Sequence, residues 1–212
     1  MITRETFTYD SRDEKKTKIH AVKWIPERDK PICVVQILHG MAEHMERYDE
    51  FARFLAEQGI LVVGNDHLGH GKTVSENNGV YGYFCKQDPA TVVVRDVHRL
   101  KKIIQEENLG VPYILMGHSM GSFMVRTILC KYPDCGLSAA IVCGTGWQPT
   151  AALPALIGVV EVICRKTGEE NPNEKLQGMV FGSYNKKVEH PRTPFDWLSR
   201  DAKIVDDYIA HP

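Results

Sequence analysis

Gly117-His118-Ser119-Met120-Gly121, inside the stretch MGHSMGS, fits the pattern G-x-S-x-G. A free serine hydroxyl is a weak nucleophile, and it becomes useful where a sharp turn presents it at a helix start, beside backbone N–H groups that can receive an oxyanion. Composition alone would supply roughly 0.04 such patterns in a chain of this length, so context has to decide. The apolar run VPYILM precedes the pattern and SFMVRTILCKYP follows it with helical spacing, which places the serine between a buried strand and a helix. Glycines suit that turn because side chains at 117 and 121 would collide with neighbouring backbone. A serine that merely caps the helix would explain neither glycine. Ser119 is therefore the expected nucleophile. One oxyanion donor is expected at the Met120 N–H, directly after it. The other is expected at the Met41 N–H, directly after the strand that ends QILHG.

The elements that must position these groups follow from periodicity. Alternating residues in ETFTYD and KIHAVKWIP, separated by SRDEKK, predict an antiparallel hairpin. The unbroken apolar core of PICVVQILHG predicts a strand buried on both faces, where the sheet turns parallel. Residues 46–58 carry Tyr48, Phe51, Phe54 and Leu55 at helical spacing, and Gly59 follows as a stop. A strand (ILVVGNDH), a helix (TVVVRDVHRLKKIIQEEN), the strand and helix around Ser119, and a strand (LSAAIVCGT) complete an alternation that specifies a mostly parallel α/β sheet with crossover helices. Beyond Thr145 the rhythm changes. WQPTAALPALIGVVEVICRK predicts a helix, the Pro-, Asn- and Gly-rich stretch 171–201 an irregular segment, and DAKIVDDYIAH a last helix.

HGMAEHMERYDEFARFLAEQGILVVGNDHLGHGKT, with its HGxxEHxxRY and DHxGHGxT elements, GHSMGS, and TPFDWLSRDAKIVDDYIAHP together resemble the α/β-hydrolase fold in its monoacylglycerol lipase and lysophospholipase branch, known also as serine aminopeptidase. The resemblance implies a serine hydrolase of carboxylic esters with lipid-like acyl groups. It carries the oxyanion role over to Met41 and Met120, makes residues 1–146 the N-terminal part of the core, and makes 147–212 a partial helical cap. In that cap Leu153, Leu156, Ile157, Val159, Val160 and Ile163 suit either an acyl-chain wall or a helix packed on the core, and residue by residue the core reading is the favoured one. The resemblance also makes the loop holding Asp66, His67 and His70 structural rather than a zinc site, which would ask for a further ligand and an open position. No metal or cofactor is expected. His118 is read as a packed, hydrogen-bonded histidine rather than the general base, and His44 as structural, with contact to the substrate as its alternative role.

In this fold the acid and base follow the serine in the order Asp or Glu, then His. No strand after Ser119 is followed by an Asp or His loop. Asp196, Asp201, Asp206 and Asp207, with His190 or His211, all fall in cap-like sequence and make an improbable triad. The chain is thus expected to resemble the first two thirds of a family member, with the C-terminal core strands missing and the triad Asp and His lying beyond Pro212. The LSAAIVCGT strand would then be an uncovered edge, open to another copy of the chain. Two alternatives stand beside the ester hydrolase: a catalytically incomplete module that binds an apolar ligand or partner, and an aminopeptidase or amidase.

Composition narrows the partners. The 212 residues are 43% hydrophobic and 25% charged, and 26 Lys+Arg against 27 Asp+Glu leave a formal charge of -1, so no global field recruits nucleic acid or anionic membrane. The apolar run 151–164 falls short of the roughly 20 residues that span a bilayer. MITRETFTYDSRDEKK lacks the apolar core of a secretory signal, which points to the cytoplasm. The six cysteines form no CxxC pair and are expected to be free and mostly buried.

Overall fold

The computed structural model describes residues 2–171 and 173–210. Two compact units divide the chain, Met1–Trp147 and Gln148–Pro212.

The first unit is built on six strands: β1 (Thr3–Asp10), β2 (Lys18–Ile25), β3 (Val34–Leu38), β4 (Leu61–Asn65), β5 (Tyr113–His118) and β6 (Ala139–Cys143). They lie in the order β1-β2-β4-β3-β5-β6. β1 and β2 form the expected antiparallel hairpin, β2 runs antiparallel to β4, and the β3–β4, β3–β5 and β5–β6 pairs are parallel. Every residue of β3 and β4 is buried. Alternation then assigns each side chain of β3 to one of two cores. Val34 and Leu38 join a cluster with Val97, Leu100 and Ile104 of α3 (Pro89–Glu107) and Val125 and Ile128 of α4 (Met120–Lys131). Val35 and Ile37 join a second cluster with Trp24, Met45, and Ala52 and Ala56 of α1 (Asp49–Glu57). Helices therefore cover both faces, which is why these strands read as continuous apolar runs. Gln36 interrupts the run of β3 without cost, because its amide donates to the Val97 carbonyl (3.1 Å) and accepts from the Tyr113 hydroxyl (2.7 Å).

A short helix after β4, α2 (Gly71–Ser75), was not legible in the periodicity, since five residues are too few to show one. β6 closes the sheet among the described residues, and all five of its residues are exposed.

The second unit is helical: α5 (Leu153–Thr167), α6 (Glu174–Phe181) and α7 (Ala202–Ala210). The prediction of an irregular 171–201 is corrected over α6. Asn173 caps that helix, its side chain accepting from the N–H groups of Lys175 (3.0 Å) and Leu176 (3.2 Å), and this cap outweighs the nearby Pro and Gly. None of the residues of α5 is buried. Phe181, Tyr184 and Trp197 form the unit's aromatic cluster, with Tyr184 and Trp197 rings 4.7 Å apart. Six free cysteines are present, but only Cys85 is buried; Cys130 and Cys143 are exposed, so the expectation of mostly buried thiols fails at the helix surface and at the sheet edge.

Candidate active site

Strand order decides what stands beside Ser119. The chain leaves β3 for β4 on one side and crosses back to β5 on the other, so the order of the sheet reverses between β3 and β5. Such reversals open a crevice at the carboxyl ends of the strands. Leu38 pairs with Gly117, which brings the loops that follow β3 and β5 out side by side. A Cβ built on Gly40 would lie 3.1 Å from the Ser119 Cβ.

Ser119 has φ 49° and ψ -115°, a conformation that L side chains rarely adopt and that costs on the order of 1–3 kcal/mol. It occupies the N-cap position of α4, yet its side chain makes no capping hydrogen bond. The turn is held by other groups: the Ser119 N–H donates to the Cys143 carbonyl (3.0 Å), and the Ser122 hydroxyl donates to the Ser119 carbonyl (2.5 Å). The flanking glycines are required by close approach. A Cβ at Gly117 would fall on the Gly121 carbonyl, and one at Gly121 on the Leu38 carbonyl. The hydroxyl is left unspent by the fold.

The loop from His39 to Met45 is fastened by side chains. His39 is fully buried, with Nδ1 2.7 Å from the Gly40 carbonyl and Nε2 3.0 Å from the His67 N–H. A carbonyl can only accept, so Nδ1 carries the proton and Nε2 accepts. The same reasoning sets His70, whose Nδ1–H donates to the Leu68 carbonyl (3.0 Å) while Nε2 accepts from the Ala42 N–H (3.4 Å). Burial first, then the neighbouring rings, hold His39 well below the ordinary imidazole range; burial drives His67 down to about 3 and lowers His70 as well. All three are neutral at pH 7, which is what lets them accept. Asp66 caps two segments, accepting from the N–H groups of Met45 and Lys72 at 2.8 Å each. Asp66 and His70 are thus engaged with backbone, the His67 ring meets the Asn65 side-chain amide through Nδ1 (3.3 Å), and the described residues hold no group of three side chains placed to bind a metal ion.

Glu43 was quoted in the HGxxEH element but given no role by the sequence. Its Oε1 accepts from the Gly40 N–H, from the Tyr48 hydroxyl (3.0 Å) and from His118 Nδ1 (3.1 Å). Burial would raise its carboxyl, but the hydrogen bonds from His118 and the Gly40 amide prevail and hold it below the ordinary range. The hydrogen bond to Glu43 in turn raises His118. His118 is hydrogen-bonded as expected, but its ring is half exposed rather than packed. The available signal was a carboxylate three residues beyond a glycine whose N–H ends a strand, the spacing that lets a side chain reach back to backbone.

Met120 opens α4 and Met41 sits exposed on the loop. Among the described residues neither N–H donates a hydrogen bond. The cap-segment carboxylates are engaged locally. Asp196 accepts from Thr193 Oγ1 (2.6 Å), Asp206 pairs with Arg192 (2.8 Å), and Asp201 accepts from the Lys203 N–H (2.9 Å). None of these, nor Asp207, meets a histidine among the described residues; His190 is exposed, and His211 lies outside those residues. A cavity of about 590 Å³ is lined by Pro26, Arg53, Ala56, Glu57 and Gly59, and by none of the candidate residues. No helix among the described residues is long and apolar enough to cross a membrane.

Known proteins resemble this arrangement. The family model described as serine aminopeptidase, S33 matches residues 29–212. A monoglyceride lipase of Mus musculus is 34% identical over 183 residues, which is 86% of this chain and 52% of that protein. A monoacylglycerol lipase of Mycolicibacterium smegmatis is 29% identical over 190 residues, 89% of this chain and 58% of that protein. The chain spans about half the length of these curated relatives. Among solved structures, a thermostable carboxyl esterase from Bacillus coagulans, in complex with glycerol, superposes with a TM-score of 0.86 at 32% identity, over 100% of this chain and 66% of that one. The fold is the α/β-hydrolase fold.

Proposed function

Since the chain belongs to the serine aminopeptidase, S33 family, and lipases and an esterase stand among its relatives, we propose that it is a serine hydrolase of carboxylic esters with lipid-like acyl groups, of the monoacylglycerol or lysophospholipid kind. Ser119 Oγ attacks the ester carbonyl carbon, and its proton passes to a histidine base that is not among the described residues placed at Ser119. The N–H groups of Met41 and Met120 receive the oxyanion. Collapse expels the alcohol and leaves an acyl-enzyme on Ser119, and water then releases the acid. In this reading residues 147–212 act as the cap. The observation that carries the proposal is the backbone of Ser119, held at φ 49° with an uncommitted hydroxyl, between two glycines at which any Cβ would run into neighbouring backbone. Strain of this kind persists where surrounding structure over-determines it, and it accumulates at reacting groups.

A fluorophosphonate probe tests the proposal. The protein is expected to label once, at Ser119, and Ser119→Ala to abolish the label and the turnover of a monoacylglycerol. Equal labelling of the variant, or no labelling of the complete gene product, removes the hydrolase reading. Turnover of an aminoacyl amide in preference to the ester would replace it with the aminopeptidase one.

A further inference from the structure

The loop that carries Met41 has its consecutive peptide groups fastened one by one. The Gly40 N–H donates to Glu43 Oε1, the Gly40 carbonyl accepts from His39 Nδ1 at 2.7 Å, and the Ala42 N–H donates to His70 Nε2 at 3.4 Å. In a trans peptide the carbonyl and the following N–H point in opposite directions. Anchoring the Gly40 carbonyl on His39 therefore aims the Met41 N–H away from His39, and that N–H makes no hydrogen bond among the described residues. The backbone does not adopt this course unaided, because Ala42 has φ 56°, in the left-handed region that an L residue with a Cβ rarely adopts.

Glu43 is the one member of this set that also reaches the turn of Ser119. Its Oε1 gathers the Gly40 N–H from the loop, the Tyr48 hydroxyl from the 3₁₀ turn Met45–Tyr48, and His118 Nδ1 from the residue directly before Ser119. Its side chain is 15% exposed, so water competes weakly for these bonds. A Cβ at Gly40 would meet Glu43 Oε1 at 2.6 Å on one side and the Ser119 Cβ at 3.1 Å on the other, so Gly40 fills the gap between them with no room to spare.

We propose that Glu43 is a positioning residue that joins the Met41 loop to the Ser119 turn through Gly40 and His118, and so sets the distance and direction of the Met41 N–H relative to the Ser119 hydroxyl. The inference rests on the hydrolase reading for its catalytic consequence, and on geometry alone for the tie itself. Removing one oxyanion donor costs about 10²–10³ in kcat where this has been measured, and a donor displaced but not removed loses part of that. Ground-state binding of the ester is not at stake, because the donor is aimed at charge that develops during reaction.

Glu43→Ala and Glu43→Gln are compared with the parent by hydrogen exchange at the amides of residues 40–43, and by kcat and KM for a soluble short-chain ester, with thermal unfolding of each protein recorded. Glu43→Ala is expected to speed exchange at the Gly40 and Ala42 amides about tenfold or more and to lower kcat about 30-fold, with KM within about threefold. Glu43→Gln keeps an acceptor at the Oε1 position and is expected to restore kcat to within about fivefold of the parent. His118→Leu, at a half-exposed ring whose loss threatens the fold less, is expected to lower kcat by a smaller factor, and His118→Asn, which keeps a donor near Nδ1, to recover it. Unchanged exchange in Glu43→Ala overturns the tie whatever the protein's reactivity. Raised exchange with kcat within twofold of the parent overturns the positioning role, as does a fall in kcat no larger than the unfolded fraction explains. A parent that neither labels with fluorophosphonate nor turns over ester, while exchange rises in Glu43→Ala, sinks the hydrolase reading and leaves the tie standing.

Discussion

Gly121→Ala adds one methyl group in the first turn of α4, a helical position where alanine is intrinsically favoured over glycine by up to about 1 kcal/mol. The surroundings oppose that preference. The new Cβ would fall on the Leu38 carbonyl oxygen, 2.6 Å from the Leu38 carbonyl carbon and 2.8 Å from the His39 carbonyl oxygen. Carbon contacts settle near 3.5–4.0 Å, so the two segments must part by about 1 Å. β3 cannot yield, since it is paired on both sides in the middle of the sheet. The start of α4 has to move instead. Overpacking of this kind costs about 1–3 kcal/mol, and a backbone obstacle puts it at the upper end, which leaves Gly121→Ala about 2 kcal/mol less stable than the parent after the helical gain is subtracted. Gly158→Ala in α5 is the matched control, because a Cβ there meets nothing within 4 Å and the propensity gain of about 0.5–1 kcal/mol stands alone. Urea denaturation followed by far-UV circular dichroism measures both. If Gly121→Ala unfolds at or above the parental midpoint, the close packing of α4 on β3 is refuted. The same 1 Å displacement moves Ser119, two residues away, and is expected to slow fluorophosphonate labelling about 10²-fold.

Two further outcomes concern stability. Burial pushes the Asp96 carboxyl up to about 6, against the opposing pull of hydrogen bonds from the Ser11 hydroxyl and the Arg12 N–H, both 2.6 Å. The folded state then binds this proton more tightly than an unfolded chain, in which Asp titrates near 3.9, so the contribution of Asp96 to stability falls as pH rises from about 4 to about 6. The parent is expected to lose up to about 3 kcal/mol relative to Asp96→Asn across that window, by urea midpoints at pH 4 and 6.5; a constant difference would place the carboxyl in the ordinary range. Asn173→Ala removes both capping bonds of α6 and is expected to cost the second unit about 1 kcal/mol, with a drop in helical ellipticity. An unchanged spectrum and midpoint would show that packing alone starts that helix.

How much of this was legible in the sequence depends on how far apart the interacting residues lie. The hairpin, the buried strands and the longer helices of the first unit, α1, α3 and α4, could be read because each is written in a local period of 2 or 3.6, and the buried faces of α3 repeat at Val93, Val97, Leu100 and Ile104. The collision that demands Gly117 and Gly121 was foreseen from the turn type, although its partner for Gly121, the Leu38 carbonyl, lies 83 residues away and needed the fold. α6 was missed because a single asparagine cap weighs little in a composition that otherwise signals loop. The cysteines were misjudged because apolar sequence around Cys143 reads as a covered strand, whereas its burial depends on what lies beyond the sheet edge.

The sequence by itself determined that Ser119 stands between a strand and a helix and that a glycine-ended strand supplies a second loop, because strand, turn and helix are each specified by residues within a few positions. Only the tertiary structure decided that those loops lie together. That follows from the order β4-β3-β5, which sets Leu38 beside Gly117, and from Glu43 meeting His118 across 75 residues. Strand order is chosen by the summed burial of both sheet faces and by the chain's return across β3. No local pattern near Ser119 or Met41 encodes that choice.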